Sequence, residues 1–161
     1  MKQDLYLAPV DLGMQSDIGI ESARLIQTDV ENKPVAEVEY GFEAYAARLR
    51  AEGQQLYALI HEQDSELLAA VVVSQSALCQ SRGWIEALVV SRSQRQQGYG
   101  RIALGMAAQI LARQGVAELW LKPKSPSYYE QFGFAGSSIM SAKILDVLRT
   151  TNPYDDEPSS V

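Results

Sequence analysis

The stretch that most limits what this chain can fold into is residues 84–114. An apolar run, Trp84-Ile85-Glu86-Ala87-Leu88-Val89-Val90, has the length and composition of a strand. Ser91-Arg92-Ser93 makes a polar turn. Gln94-Arg95-Gln96-Gln97-Gly98-Tyr99-Gly100 then brings two glycines, and residues 101–114 are rich in Ala, Leu, Ile and Met. Strand, glycine loop and helix in that order aim a helix N-terminus and several backbone N–H groups at one place, which is a means of holding phosphate. The two glycines let the backbone turn sharply and approach a ligand closely. The spacing is not Gly-x-x-x-x-Gly-Lys-Ser/Thr, which sets aside a nucleoside-triphosphate P-loop. It is not Gly-x-Gly-x-x-Gly either, because Ala103 stands at the third glycine position.

The rest of the chain supplies more strands and helices around this unit. Residues 4–10 alternate loosely and read as a first strand ending at Pro9. Residues 11–26 read as a helix weakened by Gly13 and Gly19. Phe42, Tyr45, Ala46 and Leu49 fall at helical spacing within residues 40–52, and Gly53 ends that helix. Residues 56–61 and 67–76 are strands joined by the polar turn Glu62-Gln63-Asp64-Ser65, and Gln80-Ser81-Arg82-Gly83 leads into the strand at Trp84. Three strands with short connections make an antiparallel meander. After the helix at 101–114, residues 116–121 read as a strand, so that strand, helix and strand give a parallel pair with a right-handed crossover. A short helix is expected at 127–131 and a last strand at 139–145. The expected fold class is therefore mixed α/β: an antiparallel meander, then a parallel β-α-β unit, with helices on both faces of the sheet.

With 161 residues the chain is the size of one domain, expected to span 1–151. Residues 152–161 carry three acids, two prolines and two serines and read as a disordered tail. One cysteine, Cys79, and one histidine, His61, leave no multi-Cys or His-based metal site. No run is long enough to span a bilayer, and the N-terminus has no signal-peptide core, so a cytoplasmic protein is expected. The net charge of −6 repels nucleic acid on average and favours cationic partners, although acidity also serves plain solubility.

A second motif, Tyr128-Tyr129-Glu130-Gln131-Phe132-Gly133-Phe134, follows the last crossover strand. Together, Arg95-x-x-Gly98-x-Gly100 and this segment resemble, in order and separation, two signature stretches of the GCN5-related N-acetyltransferases. The resemblance covers residues 84–134 and is architectural only before Tyr57. It implies acetyl-CoA as co-substrate and an amine acceptor, small molecule or protein. The backbone of Leu88, Val89 and Val90 would take the pantetheine arm, and the amides of Arg95, Gln96, Gln97, Gly98, Tyr99, Gly100 and Arg101 would cradle the pyrophosphate. Tyr129 matches the tyrosine that protonates the leaving thiolate, and Glu86 stands where a base can be carried. Dimers are frequent in that family, so a homodimer is expected by analogy. Ser125-Pro126 departs from the Asn-containing pattern common before the tyrosine segment.

Other readings stay open at this level. Tyr129 can belong to an aromatic cluster that closes the sheet, and Glu86 can be a solvent-facing alternate of its strand. Arg95 can be a surface arginine. Trp84 and Trp120 read as sheet core, and His61 as a strand-end residue. Tyr40, Phe42 and Tyr45 are either core or the lining of an acceptor pocket. An acyl-CoA-binding module without catalysis is the alternative within the same fold. An acetyltransferase acting on aminoacyl-tRNA would need a basic face that the charge disfavours.

Overall fold

The computed structural model describes residues 4–153. Seven strands form one mixed sheet: β1 (Leu5–Pro9), β2 (Gln54–His61), β3 (Leu67–Gln75), β4 (Arg82–Val90), β5 (Glu118–Leu121), β6 (Ala135–Gly136) and β7 (Met140–Lys143). Their spatial order is β1-β2-β3-β4-β5-β7-β6. β1 to β4 pair antiparallel, β4 and β5 pair parallel, and β7 returns antiparallel to β5. The meander and the parallel unit are where the sequence places them. The helices are α1 (Asp17–Asp29), α2 (Val35–Val38), α3 (Phe42–Ala51), α4 (Tyr99–Arg113), α5 (Pro126–Glu130) and α6 (Ile144–Thr151).

The apolar run of β3 is continuous because both faces of its sheet are covered. Leu68, Val71 and Val73 join the core under α4 and α6, while Leu67, Ala70 and Val72 join the core under α1 and α3. β2 divides in the same way, Tyr57 and Leu59 to one face and Leu56 and Ala58 to the other. The sheet is thus a wall with a helical layer on each side.

Local chemistry shifts some boundaries. The first helix starts at Asp17 rather than near Asp11, because the Asp11 carboxylate accepts from the Gly13 amide at 2.8 Å and holds a turn there. Ser16 then caps the helix, its Oγ accepting from the Gly19 amide at 3.0 Å. The strand expected over 139–145 ends at Lys143, and Ile144 opens α6. Ile144, Val147 and Thr151 are buried at helical spacing, whereas Leu145 is 74% exposed. Trp84 and Trp120 are not core residues. They are half-buried, pair with each other at 5.9 Å, and Trp120 is covered by the Arg82 guanidinium at 4.1 Å. Tyr40 is 91% exposed, while Phe42 and Tyr45 are buried under the sheet.

Asn152 ends α6 in a left-handed conformation, and Pro153 packs beside Gly105 of α4. The rest of the expected tail, 154–161, lies outside the described residues. Among the described residues no helix is long and apolar enough to cross a membrane.

The helical reading of the last segment has a direct consequence. Val147→Ala should cost about 2 kcal/mol, since each buried methyl lost removes about 1 kcal/mol or more. Leu145→Ala should stay within about 0.5 kcal/mol, as exposed positions usually do. Urea unfolding of the two variants checks the difference; similar losses would return Leu145 to a buried strand.

Candidate active site

The site begins where two strands part. β4 and β5 pair from Arg82/Glu118 to Ile85/Leu121, and there β5 ends. β4 continues to Val90 along β3, so over residues 86–90 its other edge has no neighbouring strand. A β-bulge sits at this point. The register with β3 passes from Val72/Ala87 to Val73/Ile85 and leaves Glu86 as the extra residue. A bulge bends its strand and increases local twist, which fits the divergence of β4 from β5. The gap is a cavity of about 370 Å³ with Glu86, Leu88 and Val90 on one wall, Tyr128 and Tyr129 on another, and Lys122 and Lys124 at the loop that follows β5.

The glycine loop closes one end of this cavity. A single 3-10 turn, Arg92–Gln94, leads to Gln96 and Gly98, both in the left-handed region at φ 65° and 84°. Gly98 is the N-cap of α4, and no side chain caps that helix start. Gly100 lines the cavity, and a Cβ there would lie 2.7 Å from the Tyr128 hydroxyl and 3.5 Å from Val90 Cγ2. Val90 would then be at ordinary contact distance, whereas the Tyr128 hydroxyl would have to move, so the bare Cα serves the close approach of α5 to α4.

Cations collect around the loop. The Asp29 carboxylate, 7% exposed, accepts from Arg95 Nη2 at 3.0 Å and Arg92 Nη2 at 3.3 Å. Arg95 also donates through Nε to the Val90 carbonyl at 3.3 Å. Lys124 Nζ donates to the Val30 carbonyl at 2.7 Å and caps the C-terminal end of α1. A chain with net charge −6 therefore gathers Arg92, Arg95 and Lys124 around this loop.

α5 brings the aromatic pair. Pro126 occupies its first turn, and Ser125 precedes it without a side-chain cap. Phe132 and Phe134 are 2% and 3% exposed and hold the segment down. The Tyr129 ring stands edge-on to Phe134 at 5.8 Å and to Tyr128 at 5.1 Å. Burial, and then the neighbouring Tyr128, push the Tyr129 phenol up to about 12. Burial raises Tyr128 as well, against the pull of Arg101. Across the cavity, Glu86 Oε2 accepts from Gln54 Nε2 at 3.1 Å and Oε1 from Ser74 Oγ at 3.0 Å. Both donors are neutral, so they orient the carboxylate without cancelling its charge.

A family model described as "Acetyltransferase (GNAT) family" matches residues 22–134. The chain belongs to the GNAT acetyltransferase family. Solved structures agree on the fold. An acetyltransferase of the GNAT family from Desulfovibrio desulfuricans is 12% identical with a TM-score of 0.66, covering 87% of this chain and 99% of its own. Tetrahymena GCN5 is 12% identical with a TM-score of 0.65, covering 94% and 99%. A chimera of Vibrio cholerae spermidine N-acetyltransferase SpeG and hSSAT is 12% identical with a TM-score of 0.67, covering 91% and 99%. No curated protein sequence matches.

Within this GNAT fold the residues singled out from sequence divide into two groups. Glu86, Leu88, Val90, Gly100 and Tyr129 line one cavity. Val89, Tyr99 and Arg101 turn their side chains elsewhere. Val89 enters the core under α1 and α3, and Tyr99 enters the opposite core, edge-on to His61 at 6.3 Å. Arg101 donates to the carbonyls of Thr151 and Asn152 and ties the end of α6 to the start of α4. Only their backbone groups can serve a ligand here. Arg95, Gln96 and Gln97 are exposed on the loop, outside the cavity.

Sequence reasoning passed over Lys122, Lys124, Tyr128 and Asp29. Lys-Pro-Lys after a strand is a usable signal, and Tyr128 adjoins Tyr129 in the same motif. Asp29 had none, because its partners are more than sixty positions away.

The raised phenol also sets a pH dependence. Tyr129 binds its proton more tightly folded than unfolded, so its stabilising effect is complete below about pH 10. It is lost as pH rises from there through about 12. Melting temperatures followed over that range should fall, and Tyr129→Phe should lessen the fall; an unchanged slope would place the phenol in water.

Proposed function

We propose that this GNAT protein transfers an acetyl group from acetyl-CoA to a primary amine by direct attack in a ternary complex. The observation that carries the reading is the uncovered edge of β4 at its bulge, with Glu86 and Tyr129 facing one cavity. Acetyl-CoA suits the residues present. The free edge offered by Leu88, Val89 and Val90 can take the amide-bearing pantetheine arm as an added strand. The amides from Arg95 through Gln96, Gln97, Gly98, Tyr99, Gly100 and Arg101 lie at an uncapped helix start, where a pyrophosphate is favoured. The cationic rim of Arg92, Lys122 and Lys124 adds to that preference.

The chemistry assigns three roles. An alkylamine with pKa about 10.4 is neutral in roughly one molecule per 2,500 at pH 7, so removing its proton costs roughly 4–5 kcal/mol. Glu86, directly or through a water, takes that proton. The amine then forms a C–N bond with the thioester carbonyl, and a backbone N–H of β4 stabilises the developing oxyanion. Collapse breaks the C–S bond, the thiolate takes the phenolic proton of Tyr129, and the nitrogen releases its remaining extra proton to water. The amide and CoA leave, Tyr129 is reprotonated from solvent, and Glu86 gives its proton back. A phenol pushed up to about 12 remains protonated through neutral pH, as an acid must before it acts.

Two measurements test this. A thermal melt at about 100 times Kd of acetyl-CoA should rise by several degrees, corresponding to roughly 2.7 kcal/mol. Gly98→Val, at φ 84°, should reduce the rise. No rise in the wild type would end the donor assignment. Tyr129→Phe should lower kcat by about 100-fold or more while the acetyl-CoA shift is kept. Full activity, or loss of both together, would remove Tyr129 from the acid role. A rise in the melt with no turnover on any amine would favour an acyl-CoA-binding module.

A further inference from the structure

The donor cavity has a neighbour. A second cavity, of about 300 Å³, lies on the α1/α3 face of the sheet and shares Val30, Glu86 and Ala87 with the first. The two are contiguous at the proposed base. This volume is at the small end of ligand pockets and suits a small molecule rather than a folded segment of another protein.

Its charge is specific. Three carboxylates, Glu31, Glu52 and Glu86, face one guanidinium, Arg48. Arg48 is ion-paired with Glu31, which Lys33 also approaches at 3.4 Å, so that carboxylate is already compensated. Glu86 meets only neutral donors, and Glu52, at the C-cap of α3, makes no ion pair among the described residues, its charge adding only after that of Glu31 to the field on Arg48. Glu52 and Gln54, whose amide holds Glu86, both line the cavity, which therefore carries three carboxylates against the single Arg48 guanidinium. Val30 and Ala87, both half-buried, supply apolar surface to the same cavity.

An acceptor amine must lose its charge before it attacks, so its own ammonium cannot hold it in the transition state. A carboxylate apart from Glu86 suits a second positive charge that persists. We infer that this cavity is the acceptor site and that it takes a small aliphatic diamine or polyamine, one amine beside Glu86 and a second, protonated amine held by Glu52. The inference rests on the acetyltransferase reading and adds the class of acceptor. The apolar surface suits a methylene spacer, and a nearby ammonium lowers the pKa of the amine that must be deprotonated. An acceptor bearing a carboxylate would meet like charge in the same place.

Three probes with one spacer test it: 1,4-diaminobutane, butylamine and 4-aminobutyrate. Thiol release from acetyl-CoA gives kcat/KM, and calorimetry on the CoA-saturated protein gives binding without turnover. The diamine should exceed butylamine by about five- to tenfold, mostly through KM, and 4-aminobutyrate by more. Glu52→Gln should bring the diamine-to-butylamine ratio towards one, and added salt should shrink it in the wild type. Turnover with equal kcat/KM for diamine and monoamine, or a ratio untouched by Glu52→Gln, overturns the inference and leaves the acetyltransferase reading standing. Diamine binding to the CoA complex without thiol release from any acceptor keeps the cation site and overturns that reading. No diamine binding overturns the inference.

Discussion

The parting of β4 from β5 is the constraint on which the rest of this structure depends. A parallel pair continued to full length would bury the β4 edge in strand hydrogen bonds and leave no room for a ligand. Instead β5 stops at Leu121, and the bulge at Glu86 turns the remainder of β4 away. The backbone groups left on that edge are obligatory hydrogen-bonding groups, and they need water or a ligand to satisfy them. The same extra residue gives Glu86 its place, with Gln54 and Ser74 fixing the carboxylate over neighbouring strands. One local insertion therefore opens the cavity beside β4 and positions an ionisable group at its side.

Holding the slot open requires the two helical layers to be tied to its rim. Asp29 at the end of α1 gathers Arg92 and Arg95 from the glycine loop, and Lys124 from the loop after β5 caps the same helix. Each pair involves a partly exposed cation and is worth little by itself, about 0–1 kcal/mol. Their effect is geometric: α1, the glycine loop and the loop after β5 share one anchor. On the other face, Arg101 fastens α6 to the start of α4, and Phe132 and Phe134 hold α5 so that Tyr128 and Tyr129 face the cavity.

Much of this was legible from residue order. The apolar runs and polar turns of residues 54–90 specify a meander, and the helix after Gly98 specifies a parallel return, so the sheet's topology follows from short-range signals. The misread elements have equally local causes. Asp11 closes a turn with its own carboxylate, which delays α1, and a short strand and a helix share the apolar run at 139–148, which hid their boundary at Lys143. Large aromatic residues in strands usually signal core, but here Trp84 and Trp120 pair with each other and Arg82 covers Trp120 from outside.

By itself the sequence determined the order of strands and helices, the glycine turn at Gly98 and the aromatic segment at residues 128–134. These depend on backbone preferences and on spacing within a few residues. The tertiary structure alone decided which of these residues share a cavity. It turned Val89 and Tyr99 into opposite cores, engaged Arg101 with α6, and placed Asp29 against an arginine 66 positions along the chain. It also set the bulge at Glu86 and gathered Glu31, Glu52 and Glu86 around one space. Such placements follow from strand register and from which faces pack together, and no local pattern of residues encodes them.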